Sequence, residues 1–298
     1  MKETIPICIF GFNRADLINK LLNSLIECDG AYHYHVYVFV DGARSEKEQV
    51  ACNEVARVVN RYSNYFSKFE VKRSSENRGL ANSLKEGISF VLGAYDAVIV
   101  LEDDLVLSKD FLTYMNQALN FYEYDKRVGS ISGFTTELIA SSQYDNYFHP
   151  RPCSWGWATW KDRWESCDWD YIPSDFNQKL RLKLSAYKAG QDVYRMFQNQ
   201  LKGKINSWAV VWTVNHLLNS LYVVYPYQSK VKNVGFGEDA THCKGFNPFP
   251  SNFVDSNLCE FNFDKDVTYR KEILKQVNYY HSNLYKILYK LGLNKNGQ

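Results

Sequence analysis

Apolar runs and helical stripes alternate along the first 135 residues of the chain. IPICIFGF (5–12) is a continuous apolar run with the length of a buried strand. RADLINKLLNSLIEC follows and places Leu17, Leu21, Leu22 and Leu25 at helical spacing. YHVYVFVDGA (34–43) predicts a second strand, closed by the turn pair Asp41-Gly42. SEKEQVACNEVARVVNRY predicts a helix opening on Ser45, with Glu48 three residues on in the capping-box pattern. FSKFEVKRS, DAVIVLEDD and VGSISGF read as further strands. GLANSLKEGISFVLG and SKDFLTYMNQALNFYEYD read as helices, the second capped by Ser108. Unbroken apolar strands alternating with helices predict an α/β fold, a mostly parallel sheet with helices on both faces. Such sheets bind ligands beyond the carboxyl ends of their strands. Asn13-Arg14, Asp41-Gly42 and Glu102-Asp103-Asp104 all fall at those ends and are expected to share one crevice.

The pattern changes after residue 135. PRPCSWGWATWKDRWESCDWD carries Trp155, Trp157, Trp160, Trp164 and Trp169. Helical spacing returns at 177–202 and 207–220, followed by short strands in LYVVYP and SKVKNVGF and a loop, GFGEDATHCKGFNPFP. In the tail, Ile273, Val277, Tyr280, Leu284, Ile287 and Leu291 fall three and four apart, which predicts one apolar helical face opposite Lys271, Lys275, Lys286 and Lys290. Such a helix packs on the domain or lies on an anionic membrane surface. The chain shows neither repeats nor low-complexity linkers, so one domain with an elaborated second half is expected.

Composition narrows the classes. Of 298 residues 45% are apolar, enough for a packed core. A net charge of +2 argues against nucleic acid as the main partner. Seven cysteines, without a CxxC pair, point away from a disulfide framework or a zinc ribbon and toward a reducing cytoplasm. The apolar run near the start is too short for a signal peptide, and no membrane-spanning stretch follows.

The chemistry concentrates in VIVLEDDLVLSKDF (98–111), where a buried strand runs into three adjacent carboxylates. Like charges this close resist ionising together, so a positive partner is expected. A hard divalent cation is the usual choice of carboxylate oxygens. With the phosphates of a nucleotide donor it would form a metal–diphosphate site.

IFGFNRADLINKLLNSL, VFVDGA, ENRGLANSLKEGI and VIVLEDDLVLSKDFL, in that order, resemble glycosyltransferase family 2 of the GT-A fold. Around EDDL the chain is also similar to the N-acetylglucosaminyltransferase I type, whose DxD-like motif is EDD. The resemblance covers about the first 135 residues and implies a Rossmann-like sheet, a nucleotide-diphosphate sugar donor (a UDP-sugar) and Mn²⁺ or Mg²⁺. It divides the chain into a nucleotide-sugar-binding half (1–135), an acceptor-side half of the same domain (136–262) and a helical tail (263–298). By position it assigns Phe10, Asn13 and Arg14 to the base and phosphates, and Asp41 to the base. Asn77 and Arg78 approach the donor, Glu102 and Asp103 belong to the donor site, and Asp104 is the metal ligand. A C-terminal loop in such enzymes closes over the diphosphate, which makes His242 a candidate second metal ligand.

Indole rings stack on the C–H faces of sugars. Trp155 and Trp157 are therefore candidates to line the acceptor side, and similar bacterial sugar transferases carry a WGWATW-like segment; Trp208 is placed with them. An inverting transferase needs a carboxylate base. By analogy it would precede Trp208, where this chain has Asn206-Ser207, so the candidates become Asp239, Glu238, Asp168 and Asp170, with Asp239 preferred. The resemblance further implies a glycan or lipid-linked glycan acceptor in bacterial surface polysaccharide synthesis, and a cytoplasmic enzyme that touches the inner face of the membrane. Two other classes fit parts of the pattern. A nucleotidyltransferase would share the sheet and the acidic site, although GFNRADLINK has one glycine and one arginine where such an enzyme carries several. A silent glycan- or nucleotide-binding module would fit the missing base.

Overall fold

The structure, a computed structural model, describes residues 4–139, 142–236 and 247–293. The first half follows the apolar pattern closely. Strand β1 (Ile7–Gly11) is buried almost throughout, and α1 (Ala15–Ile26) lays Ile18, Leu21, Leu22 and Leu25 on the core, a stripe shifted onto Ile18 from Leu17. Then come β2 (His35–Val40), α2 (Glu46–Asn60), β3 (Lys68–Arg73), α3 (Leu80–Leu92) and β4 (Ala97–Glu102). A short β5 (Leu105–Leu107), α4 (Phe111–Tyr122) and β6 (Val128–Ser132) complete this half.

Two expected caps are built differently. Ser45 holds the extended cap position of α2, but its side chain makes no capping bond. Glu48 instead accepts the backbone N–H of Arg44 at 2.9 Å and pairs with its guanidinium, so the return bond lands one residue early. At α4 the cap position belongs to Asp110, and the Ser108 hydroxyl donates to the Asp110 carboxylate at 2.6 Å.

The second half adds β7 (Asn146–His149), β8 (Trp157–Trp160), α5 (Lys161–Glu165), α6 (Phe176–Ala189), α7 (Val193–Leu201) and α8 (Trp208–Leu218). After these follow β9 (Tyr222–Pro226), β10 (Val231–Asn233), α9 (Lys271–Tyr280) and α10 (Asn283–Lys290). The helical pattern at 177–202 is two helices, broken at Gly190, whose φ of +135° a side chain rarely adopts. The tail is also two helices. Ser282 ends the run by capping α10, its hydroxyl accepting from Tyr285 N at 3.0 Å. Ile273, Val277 and Tyr285 are buried, whereas Leu284, Ile287 and Leu291 are exposed, so the apolar face predicted for one helix is divided between core and surface.

Among the described residues, eight strands form one sheet in the order β3-β2-β1-β4-β8-β6-β9-β7, which joins both halves of the chain. β3, β2, β1 and β4 are parallel, as is the β6–β9 pair. β8 enters between β4 and β6, antiparallel to both. Its WATW sequence alternates about the sheet: Trp157 faces one core cluster, Ala158 and Trp160 the other. One face of the sheet carries α1, α2 and α4. The other carries α3 and α8 around a packed group of indoles.

Candidate active site

The chain leaves β1 in one direction to β2 and β3, and reaches β4 on its other side, so the topological switch point lies between β1 and β4. Phe10 pairs in register with Glu102 there. The residues just past both strand ends, Phe12 to Arg14 and Asp103 to Asp104, therefore meet in one crevice. The positive partner that the three acids require is supplied by the chain itself. Arg14 pairs with Asp103, its Nε donating to Oδ2 at 3.3 Å, and its Nη2 reaches Asp104 Oδ2 at 3.3 Å. The separation of 89 residues between Arg14 and Asp103 hides this pair from any local reading.

One guanidinium does not offset three carboxylates. Burial pushes the Glu102 carboxyl up to about 8, with the charges of Asp104 and Asp103 adding and Arg14 opposing. Burial also raises Asp103, to about 6, against the pull of Arg14. Asp104 is the most accessible carboxylate of the acid–arginine contact, its side chain 14% exposed against 6% for Asp103. Its backbone carbonyl accepts from Val234 N at 2.8 Å, and its Oδ1 lies 3.4 Å from Asn233 Nδ2. The small β5–β10 sheet makes this contact possible by running Val231–Asn233 antiparallel to Leu105–Leu107. Gly235 then packs directly on the Asp104 carboxylate, where a side chain would collide.

All the donors here are oxygen, and their charge exceeds that of Arg14. This chemistry fits a hard divalent cation of the Mg²⁺ or Mn²⁺ type, which commonly takes one or two carboxylates and completes its shell with phosphate oxygens and water. Among the described residues no three His, Cys, Asp or Glu side chains surround a single point, so the chain offers a partial shell there.

The Asp41 carboxylate is buried and each oxygen takes two donors. Gly42 N and Arg78 N reach Oδ1 at 3.0 and 2.9 Å; Asn77 Nδ2 and Gly79 N reach Oδ2 at 3.2 and 2.9 Å. Asp41 thus fixes the loop that carries Asn77 and Arg78 beside the crevice. The Arg78 guanidinium pairs with Glu86 on the exposed side of α3. Asn13 sits half-buried on the turn between β1 and α1. Phe10 is in the core, stacked on Phe39 at 5.1 Å and covered by Gly87 of α3. The aromatic at the strand mouth is Phe12, with the Arg44 guanidinium 5.0 Å from its ring centre. Its position as the last residue of the apolar run, one beyond the end of β1, is the available signal.

The tryptophans separate into two groups. Trp157, 1% exposed, stacks on Trp208, 6% exposed, at 5.2 Å; Trp164, Trp169 and Trp212 close the cluster. Rings buried on both faces leave no surface for a sugar, so Trp157 and Trp208 are core residues that anchor α8 to the sheet. Trp155 lies elsewhere. Its ring packs edge-on against Phe134 at 4.5 Å, Phe236 at 5.7 Å and Phe249 at 5.8 Å. It lines a cavity of ≈ 170 Å³ whose other walls include Phe134, Tyr147, Arg151, Phe249, Val277 and His281. Burial pushes the Cys153 thiol on the cavity wall up to about 12. Asp168 and Asp170 lie in the turn after α5, beside the indole cluster. Glu238, Asp239 and His242 lie outside the described residues.

A parallel β3-β2-β1-β4 sheet with an acidic turn at its switch point is the Rossmann-like arrangement of GT-A glycosyltransferases. Residues 7–176 match Glycosyl transferase family 2, and the chain belongs to that family. Two solved structures are similar at low identity. The crystal structure of S. aureus TarS is 14% identical with a TM-score of 0.44, and the alignment covers 75% of this chain and 36% of that one. The crystal structure of S. aureus TarS 1–349 is 13% identical with a TM-score of 0.41, covering 75% of this chain and 60% of that one. The chain thus spans less than two thirds of either. No helix among the described residues is long and apolar enough to cross a membrane.

Proposed function

We propose that the protein transfers a hexosyl or N-acetylhexosaminyl group from a UDP-sugar to a glycan acceptor in a divalent-metal-dependent reaction. The observation that carries this reading is the three-carboxylate turn at the β1–β4 switch point, which a single arginine leaves with excess negative charge. Asp104 would hold Mn²⁺ or Mg²⁺, which when bound supplies Lewis-acid neutralisation of the leaving diphosphate.

The remaining roles belong to the chain. Arg14 exchanges one carboxylate for a phosphate oxygen when the donor enters, a role supported by its pairing with Asp103 and Asp104. Asp41 holds the Asn77–Gly79 loop, and Phe12 and Asn13 border the base side. Trp155 presents its ring toward the acceptor. Asp239 or Glu238 takes the proton of the acceptor hydroxyl, and His242 adds a second metal ligand. What supports that assignment is proximity along the chain: Gly235 touches Asp104 three residues before Glu238. The EDD turn follows the N-acetylglucosaminyltransferase I pattern, with Glu102 and Asp103 backing Asp104 on the donor side. The acceptor is a glycan carried on a lipid, an intermediate of bacterial surface polysaccharide, met on the cytoplasmic face of an anionic membrane.

The test is incubation with a panel of nucleotide sugars, with and without Mn²⁺, scored for released nucleotide diphosphate. Metal-dependent release from one donor supports the reading and names the donor. Metal-dependent nucleotide binding without release from any donor would favour a silent binding module.

A further inference from the structure

The fold leaves two apolar stripes uncovered. Helix α6 buries Leu182, Ala186 and Ala189 and turns Phe176, Leu180, Leu184 and Tyr187 to solvent, four, four and three residues apart. Helix α10 buries Tyr285 and turns out Leu284, Ile287 and, just beyond its end, Leu291. Leu184 is 62% exposed and Ile287 55%. Single exposed apolar residues need no explanation; two periodic stripes do.

These helices belong to one connected region. Asn278 Nδ2, near the end of α9, donates to Lys188 O at 2.8 Å, and Asn283 N donates to Gln191 Oε1 at 3.1 Å. Lys286 Nζ of α10 pairs with Asp192 at 2.8 Å, at the start of α7, and Asp192 pairs in turn with Arg151 at 2.7 Å. The same region concentrates positive charge. Helices α6, α9 and α10 carry Lys179, Arg181, Lys183, Lys188, Lys271, Lys275, Lys286 and Lys290 against Glu272 alone. That is a net +7, so the remainder of a chain of net +2 carries −5.

We infer that α6 and α10 together form a face that docks on an anionic lipid bilayer. Apolar stripes enter the headgroup boundary while flanking lysines keep their charges among anionic headgroups. A second copy of the chain is a poor occupant, because it would bring +7 against +7. The face is wider than the tail alone, since α6 turns out four apolar side chains and α10 with its end three. Val277 and His281, at the α9 end of the region, also line the cavity behind Trp155. Docking therefore brings that cavity close to the bilayer. Its use for a lipid-linked acceptor rests on the glycosyltransferase reading; the docking itself does not.

The experiment is co-sedimentation of the full chain with phosphatidylcholine vesicles, with and without phosphatidylglycerol. Leu184→Gln with Tyr187→Gln, and Leu284→Gln with Ile287→Gln, are compared with the wild type. Binding that requires phosphatidylglycerol and falls about tenfold or more in each paired variant, with melting temperature unchanged, is the expected result. Three outcomes overturn the inference: no binding to anionic vesicles, equal binding to neutral ones, or loss in the α10 pair with none in the α6 pair. Turnover of a soluble nucleotide sugar, measured on the same proteins, is expected to stay at the wild-type rate. Docking and donor chemistry thus fail separately.

Discussion

Arg14 and Asp104 face each other across the switch point of the sheet, Nη2 3.3 Å from Oδ2, with Asp103 held by the same guanidinium. Arg14 and a divalent cation therefore compete for the same carboxylates. Replacing Arg14 by Met leaves Asp103 buried without its partner, at a cost of about 2 kcal/mol, reduced from that of a fully buried pair because Arg14 is partly exposed. A cation that binds the folded state recovers stability by mass action. Mn²⁺ is expected to raise the melting temperature of Arg14→Met by more than that of the wild type. Equal shifts would show that the arginine and the metal do not share a site.

Gly235→Ala tests the contact that presses the 234–236 segment onto Asp104. A methyl group there meets the Asp104 carboxylate and must displace it. Donor turnover should fall about tenfold or more while the melting temperature changes little, since misplacing a positioned group costs rate before it costs stability. A variant with unchanged turnover would remove Gly235 from the site.

Lys230 and Asp110 form an ion pair at 2.8 Å, with side chains 2% and 0% exposed. Asp110 also accepts from Ser108 and Ser256. The pair fixes the start of β10, and hence Asn233, against α4. Lys230→Met strands a buried charge and should cost about 3–5 kcal/mol. Adding Asp110→Asn neutralises that charge and should restore part of the loss. Urea denaturation of the single and double variants measures both; a double variant less stable than the single one would contradict the pairing.

His216 is wholly buried, its Nδ1 donating to Trp212 O at 3.0 Å and its Nε2 accepting from Ser130 at 3.0 Å. Burial lowers its pKa from 6.5 to about 4. The unfolded chain therefore binds the proton more readily. The stabilisation is fully present above about pH 6.5 and is lost as pH falls toward 4, amounting to roughly 3 kcal/mol. His216→Gln should flatten the fall in melting temperature between pH 6.5 and 4. An unchanged slope would place the acid sensitivity elsewhere.

The binding of Mn²⁺ should strengthen between pH 6 and 8. Glu102 and Asp103 are held protonated up to about 8 and about 6, and a cation that needs their charge must displace those protons. Isothermal titration in two buffers of different ionisation enthalpy would report the released protons; a pH-independent affinity with no proton release would contradict the coupling.

The first half of the fold was legible because its signals are local. β1 is apolar throughout, β2 is apolar after His35 and β4 is apolar up to Glu102, where the acidic turn begins. What lay hidden depends on distant partners. Arg14 reads as a generic base near a phosphate until β1 and β4 are paired. WATW reads as a sugar platform, yet Trp157 is closed in by Trp208, 51 residues away along the chain. The tail's period of three and four marked an amphipathic stretch correctly, but Ser282 breaks it. The outward stripe of α6 is masked in the sequence by its lysines, and only the burial of Leu182, Ala186 and Ala189 on the opposite side reveals it.

The most direct test of the account is nucleotide diphosphate release by the wild type and by Asp104→Asn, which keeps the shape of the side chain and removes its charge. With the donor identified by the panel, wild-type release should require Mn²⁺ or Mg²⁺, and the variant should lose about a hundredfold or more at equal melting temperature. Release by Asp104→Asn at the wild-type rate, or wild-type release indifferent to metal, would contradict the assignment of the acidic turn as the diphosphate-handling site.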